Sequence, residues 1–191
     1  MKKNGVSDVV LKNSLFDYEG LRFALESERV KEGKKLVFTA GVWDLLHEGH
    51  VRYLRLAKEC GDILVVVVDT DDWTRKRKGP NRPLVLEEER VELLGELRSV
   101  DYIVFIGSFH DYEECISILH PDVLVVSAST NDFPEERRQK YFQYCERLEI
   151  FEPQSATSTS SRLRNMMIDG GRVLAMKIQN LINEHLSGGG E

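Results

Sequence analysis

Cysteine is scarce in this chain of 191 residues, and the three present, Cys60, Cys115 and Cys145, are far apart and form no CxxC pair. So sparse and odd a set excludes a disulfide framework and a zinc ribbon, and reads as the reduced thiols of a cytosolic protein. Long apolar runs are missing too. The longest, Ile63 to Val68, falls far short of the roughly 20 residues that a spanning helix needs. Nor is there an excess of positive charge: the formal net charge is −6, which gives no reason to expect nucleic acid as a partner, although a local basic site for a small anion remains open. Met1 to Gly5 carries two lysines with no apolar segment after them, so no signal peptide is expected. The protein is expected in the cytoplasm, without membrane or nucleic acid among its partners.

What is present is ordinary globular composition, 41% hydrophobic and 30% charged, in a chain long enough for one domain with a full core. Residues 1 to 17 mix polar and apolar types without a clear period. From Tyr18 to Lys31, Leu21, Phe23, Ala24 and Val30 recur at roughly helical spacing and stop before Gly33. Five short apolar runs follow, at Lys35–Ala40, Ile63–Val68, Tyr102–Ile106, Val123–Val126 and Leu148–Phe151. Helical patterns separate them, at Val51–Cys60, Glu87–Arg98, Asp111–Leu119 and Glu135–Arg147. Asp111 and Glu114 have the spacing of a capping box. The strands are continuously apolar rather than alternating, which belongs to a parallel sheet covered on both faces. The expected fold is α/β, a Rossmann-like doubly wound sheet of five parallel strands with right-handed crossovers. The domain is read as 35–170, preceded by an arm and helix over 1–34 and followed by a helix and flexible tail over 171–191. Ligands on such sheets bind at the carboxyl ends of the strands, here the loops that begin at Gly41, Asp69, Gly107 and Ser127.

Three segments could carry chemistry. The first is Thr39-Ala-Gly-Val-Trp-Asp-Leu-Leu-His-Glu-Gly-His50. Gly41 lets the backbone approach a ligand, and Gly49 lets a phosphate approach the start of the next helix, where N–H groups and the dipole favour anions. His47 and His50 can there donate to a phosphate that gains charge in a transition state. No carboxylate or cysteine lies at an offset that would complete a zinc set. The second is Arg75-Lys-Arg-Lys-Gly-Pro-Asn-Arg82, a cationic run beyond the second strand of an otherwise acidic chain, read as a phosphate clamp. The third is Thr157-Ser-Thr-Ser-Ser-Arg-Leu-Arg164, hydroxyl residues at the start of a helical pattern.

The string GVWDLLHEGH resembles the signature of the HxGH cytidylyltransferase-like superfamily of nucleotidyltransferases. The likeness continues through Lys78-Gly-Pro-Asn-Arg-Pro83, Glu89-Arg90 and Val100-Asp101-Tyr102. Those pieces are most similar to the nucleotidyltransferase domain of ADP-heptose synthases, the heptose 1-phosphate adenylyltransferases. Glycerol-3-phosphate cytidylyltransferases and archaeal-type FAD synthetases are the next nearest. The resemblance spans roughly Leu36 to Arg164. It implies transfer of a nucleoside monophosphate from ATP or CTP to a phosphorylated sugar or polyol with release of pyrophosphate. Catalysis would rest on His47, His50 and Lys78. Thr39, Ala40, Gly41, Gly49, Thr159, Ser160 and Ser161 would bind the nucleotide, and Arg82 and Arg90 the acceptor or phosphate. Magnesium would arrive with the nucleotide and not on protein side chains, and a homodimer is one assembly open to the chain. Arg75, Arg77 and Glu48 are expected at the surface and Trp43 in the core. The resembled heptose and glycerol enzymes carry a glycine-rich, Asp-containing loop after the fourth strand. Here it reads Val126-Ser-Ala-Ser-Thr-Asn-Asp132. That departure keeps three alternatives in view: a glycerol-3-phosphate-type cytidylyltransferase, an FMN adenylyltransferase and a catalytically weak nucleotide-binding module.

Overall fold

The computed structural model describes residues 18–128, 139–155, 165, 166 and 168–179. Five strands form one parallel sheet: β1 (Leu36–Gly41), β2 (Ile63–Asp69), β3 (Tyr102–Ile106), β4 (Val123–Ser127) and β5 (Arg147–Phe151). Their order across the sheet is β3-β2-β1-β4-β5. The chain thus builds outward from β1 in one direction and then returns to add β4 on the other side. The reversal lies between β1 and β4, and parallel pairing brings every strand's carboxyl end to the same edge.

Strand β2 explains why its sequence is unbroken Val, Ile and Leu. Ile63, Val65 and Val67 enter one core with Leu21 and Leu25 of α1 (Tyr18–Glu26) and Cys115, Ile116 and Leu119 of α5 (Phe109–Leu119). Leu64, Val66 and Val68 enter the other, with Leu54 and Ala57 of α2 (Glu48–Lys58) and Val91 and Leu94 of α4 (Glu87–Gly95). Each face of the strand meets a helical layer, so neither can be polar. The fold class expected from the sequence is the one observed.

Local differences have local causes. The first helix does not run evenly to Lys31 but ends in a π-helical turn, Ser27–Lys31. Arg29 there donates to Leu119 O (2.6 Å) and His120 O (2.8 Å), the last carbonyls of α5 and its C-cap. The box at the start of α5 uses Ser108 and Asp111 rather than Asp111 and Glu114. Ser108 Oγ accepts from Asp111 N (3.1 Å), and Asp111 Oδ2 accepts from Gly107 N (2.8 Å). The helix accordingly begins at Phe109, two residues earlier than the apolar period suggests. Arg147 belongs to β5 and not to the preceding helix, because Arg147 N, like Glu146 N, bonds to Asp122 O at the foot of β4. A helix unanticipated by the apolar pattern, α3 (Asp71–Lys78), follows β2 directly from its N-cap Thr70, whose hydroxyl accepts from Trp73 N.

The amino ends of the strands are fastened by two aspartates. Asp101 accepts from Leu64 N (2.7 Å) and pairs with Lys58, and Asp122 accepts from Leu36 N (2.6 Å) and pairs with Arg29. Asp101, part of the family-like Val100-Asp101-Tyr102, is therefore a sheet fastener at the edge opposite the carboxyl ends. The chain divides into two compact units, Met1–Gln154 and Ser155–Glu191. The second contains α6, a helix over 168–179. Among the described residues no helix is long and apolar enough to cross a membrane.

Candidate active site

Three helices, α2, α3 and α5, begin at the carboxyl edge of the sheet, where the positive ends of their dipoles create a field favourable to anions. The turn from β1 into α2 is tightly constrained. Trp43 and Leu45 are in the left-handed region, with φ of 57° and 49°, which is costly for large side chains and persists only where the surroundings over-determine it. Trp43 is buried as expected, and its indole N–H donates to Val67 O at 2.9 Å. A Cβ on Gly41 would lie 3.1 Å from the Trp43 ring. Glycine at this position thus makes room for the indole, a role that the ligand-approach reading did not include.

His47 is the N-cap of α2. Its Nδ1 accepts from Gly49 N at 3.1 Å, which leaves Nε2 as the protonated nitrogen of a neutral ring. The Gly49 N–H is thereby engaged by His47. The His47 and His50 rings stack with centroids 4.0 Å apart, and the Trp43 ring meets His50 edge-on at 5.6 Å. Among the described residues, His50 Nδ1 is buried without a hydrogen-bond partner. Burial in the first place, and the neighbouring His47 in the second, push the His50 pKa down to about 4. At neutral pH this ring is uncharged. Lys78 is exposed, and its charge also disfavours a protonated His50. Glu48 points to solvent as expected and pairs with Arg52 at 3.0 Å.

The basic segment is not one loop. Arg75 to Lys78 form the last turn of α3, and the connection to α4 begins at Gly79, with a cis peptide at Arg82-Pro83. Arg75 is at the surface, as expected. Arg77 is not: its guanidinium pairs with Asp69 at 2.6 Å and lies over the Trp73 and Phe109 rings at 5.6 and 5.5 Å. Arg82 pairs with Asp44 at 3.0 Å, and the same carboxylate accepts from Leu84 N and Val85 N. Asp44, inside the HxGH string but not among the expected site residues, thereby joins the histidine turn to the basic connection.

Two of the expected site residues, Arg90 and Thr39, are buried and have partners within the protein. Arg90 is wholly buried. It donates to Val85 O (3.0 Å), Asp69 O (2.9 Å), Asp71 (2.7 Å) and Val42 O. Those partners engage its guanidinium, which braces the turn after β1, the end of β2 and the start of α3. Thr39 is also fully buried, with its hydroxyl 2.9 Å from Tyr53 Oη. Its side chain serves the core, whereas Ala40 and Gly41 are half-buried at the strand's end. Thr159, Ser160 and Ser161 lie outside the described residues, as does the loop from Ser129 to Asp132. Of that loop, Ser127 closes β4 and Ala128 N donates to Phe151 O.

The donor set does not suit a metal held by the protein. Asp44, Asp69 and Asp71 are bound to arginines, and Asp44 also to backbone amides. Among the described residues no three His, Cys, Asp or Glu side chains group as metal ligands.

Comparison with known proteins agrees with this geometry. Residues 38–166 match the family model described as cytidylyltransferase-like. The chain is 37% identical over 149 residues to the bifunctional protein HldE of Syntrophotalea carbinolica, covering 78% of this chain and 30% of that protein. It is 43% identical over 119 residues to HldE of Geobacter metallireducens, covering 62% of this chain and 23% of that one. The chain thus spans less than a third of the length of these relatives. A lipopolysaccharide core biosynthesis protein from Thermoplasma volcanium superposes with a TM-score of 0.54 at 29% identity, over 66% of this chain and all of that one. Pantoate-beta-alanine ligase from Francisella tularensis shares the fold, with a TM-score of 0.52 at 13% identity over 83% of this chain and 73% of that one. With a histidine pair at a helix start on the carboxyl edge of a parallel sheet, and a family match that contains that pair, the chain belongs to the cytidylyltransferase-like family of nucleotidyltransferases.

Proposed function

We propose that this chain transfers AMP from ATP to a sugar 1-phosphate, with heptose 1-phosphate the favoured acceptor, and releases pyrophosphate. The observation that carries the reading is the stacked His47–His50 pair at the start of α2, with His47 as its N-cap. The similarity to bifunctional HldE proteins supports the adenylyl and heptose assignment.

An acceptor phosphate monoester is largely dianionic at neutral pH, with a second pKa near 6, so its oxygen needs no general base. Its lone pair forms the new bond to the α-phosphorus, while the bond from that phosphorus to the α–β bridging oxygen breaks and its electrons leave with pyrophosphate. Neutral imidazoles suit this step. They donate N–H groups to the α-phosphate and bridging oxygens as charge develops there, without the acidic second proton of an imidazolium. Lys78 and Arg82 offset the repulsion between acceptor and triphosphate. Arg90 acts indirectly, by fixing the ends of β1 and β2. The tract Thr159–Ser161 is assigned to the departing phosphates by family likeness. Magnesium is assigned to the nucleotide's own oxygens, since the nearby carboxylates are committed elsewhere.

The test is pyrophosphate release with ATP and CTP, each against heptose 1-phosphate, glycerol 3-phosphate and FMN. Turnover with ATP and the sugar phosphate is expected. A clear preference for CTP with glycerol 3-phosphate would replace this reading by the polyol one. Binding of neither nucleotide would leave a degenerate module.

A further inference from the structure

The turn carrying the histidines contains a residue that the reaction scheme does not use. Asp44 sits between Trp43 and Leu45, the two left-handed residues of the turn, and is 3% exposed. A buried carboxylate in so strained a place is expensive unless fully partnered. Its partners come from a segment about forty positions away in sequence: Leu84 N at 3.1 Å from both oxygens, Val85 N at 3.0 Å from Oδ1, and the Arg82 guanidinium at 3.0 Å from Oδ2. The Arg82 side chain is 15% exposed, and a guanidinium has five N–H groups in a planar fork, so it can face Asp44 and still offer donors to a phosphate. The charge of Asp44 is also felt at His50, where it opposes the effects of burial and of His47.

We infer that Asp44 is a positioning residue, which fixes the Arg82 guanidinium relative to the His47–His50 pair so that both meet the reacting phosphates together. The inference rests on the proposed nucleotidyl transfer. Without Asp44 the basic connection would keep its charges but lose its register against the histidine turn. Misplacement of about an ångström suffices to slow a reaction strongly. Asparagine at this position keeps the shape and one oxygen for the Leu84 and Val85 amides, yet removes the charge that holds Arg82.

The experiment is a double-mutant cycle on pyrophosphate release with Asp44→Asn, Arg82→Ala and the pair, with thermal unfolding measured in parallel. Asp44→Asn is expected to lower kcat about tenfold or more, with KM for the nucleotide changed much less. In the Arg82→Ala background the same change should cost no more than about threefold, because the interaction is already gone. Losses that simply add would overturn the inference and reduce Asp44 to a structural carboxylate. If Asp44→Asn does not fold, Arg82→Lys decides, since it keeps the charge but not the fork. Wild-type kcat/KM in that variant would sink the positioning role, and a clear fall in kcat would sustain it. A wild-type protein that turns over neither nucleotide would overturn the functional reading, and this inference with it, whereas wild-type turnover with additive losses would overturn the inference alone.

Discussion

His50 is the residue whose environment says most about the chemistry. Its ring is buried beside another imidazole and against Trp43, and its pKa is down to about 4 from an ordinary 6.5. A base with a depressed pKa in the folded state is protonated first in the unfolded chain, so acid favours unfolding. The associated stability is present in full above pH 6.5 and is lost as pH falls from there toward 4. Wild-type protein should therefore lose on the order of 3 kcal/mol more than His50→Gln over that window, measured by denaturant unfolding at each pH. Equal losses would mean that the ring is solvated. For catalysis, His47→Ala and His50→Ala should each lower kcat about a hundredfold or more. Thermal unfolding should shift less for His50→Ala than for His47→Ala, since His47 also caps α2. Full turnover by either folded variant would remove that ring from the mechanism.

At the scale of elements, the cationic run divides into parts with different tasks. Arg77 is held by Asp69, Trp73 and Phe109 and secures the end of α3. Arg75 forms a solvent-exposed pair with Asp72 at 2.8 Å, and the charge of Lys78 is felt at His50. Lys78→Ala should raise KM for one or both substrates, while Arg75→Ala should leave the kinetic constants near wild type, because its solvent-exposed pair with Asp72 is screened by water. Similar small effects from both would mark the run as solvated surface. Ser108→Ala offers a check on the start of α5. Loss of its oxygen from Asp111 N should cost about 1 kcal/mol in urea unfolding, with activity retained. An unchanged midpoint would show that Asp111, through Gly107 N, is a sufficient cap by itself.

Across the whole molecule, Arg90 connects more of the fold than any sequence pattern discloses. One guanidinium joins the turn after β1, the end of β2, the start of α3 and the approach to α4. Arg90→Ala would leave Asp71 without its buried counter-charge and several carbonyls unpaired. It is expected to destabilise the protein by about 3–5 kcal/mol in denaturant titration, far beyond a surface arginine. A loss of activity with unchanged stability would instead return Arg90 to the phosphate-binding set.

The sequence by itself determined the centre of the sheet, because burial on both faces leaves the middle of a strand such as β2 little room for a polar residue. Ile63–Val68 therefore announced its surroundings before any neighbour was known. It also determined where the histidines fall, since a strand, a short turn and a helix start are all local. What it could not decide was which cations are free. Arg77, Arg82 and Arg90 are equivalent as letters. Asp69, Asp44 and the group of Asp71 with the carbonyls of Val42, Val85 and Asp69 claim them separately, across 8, 38 and up to 48 positions. Helix α3 is hidden in the sequence for a related reason: eight residues dominated by charge carry no apolar period, and its hold on the sheet comes from the Thr70 N–H on Ile106 O and the Arg77–Asp69 pair. Charge and hydrogen-bonding capacity are properties of a residue, but whether they are spent inside the protein or offered to a ligand is settled only when distant segments meet.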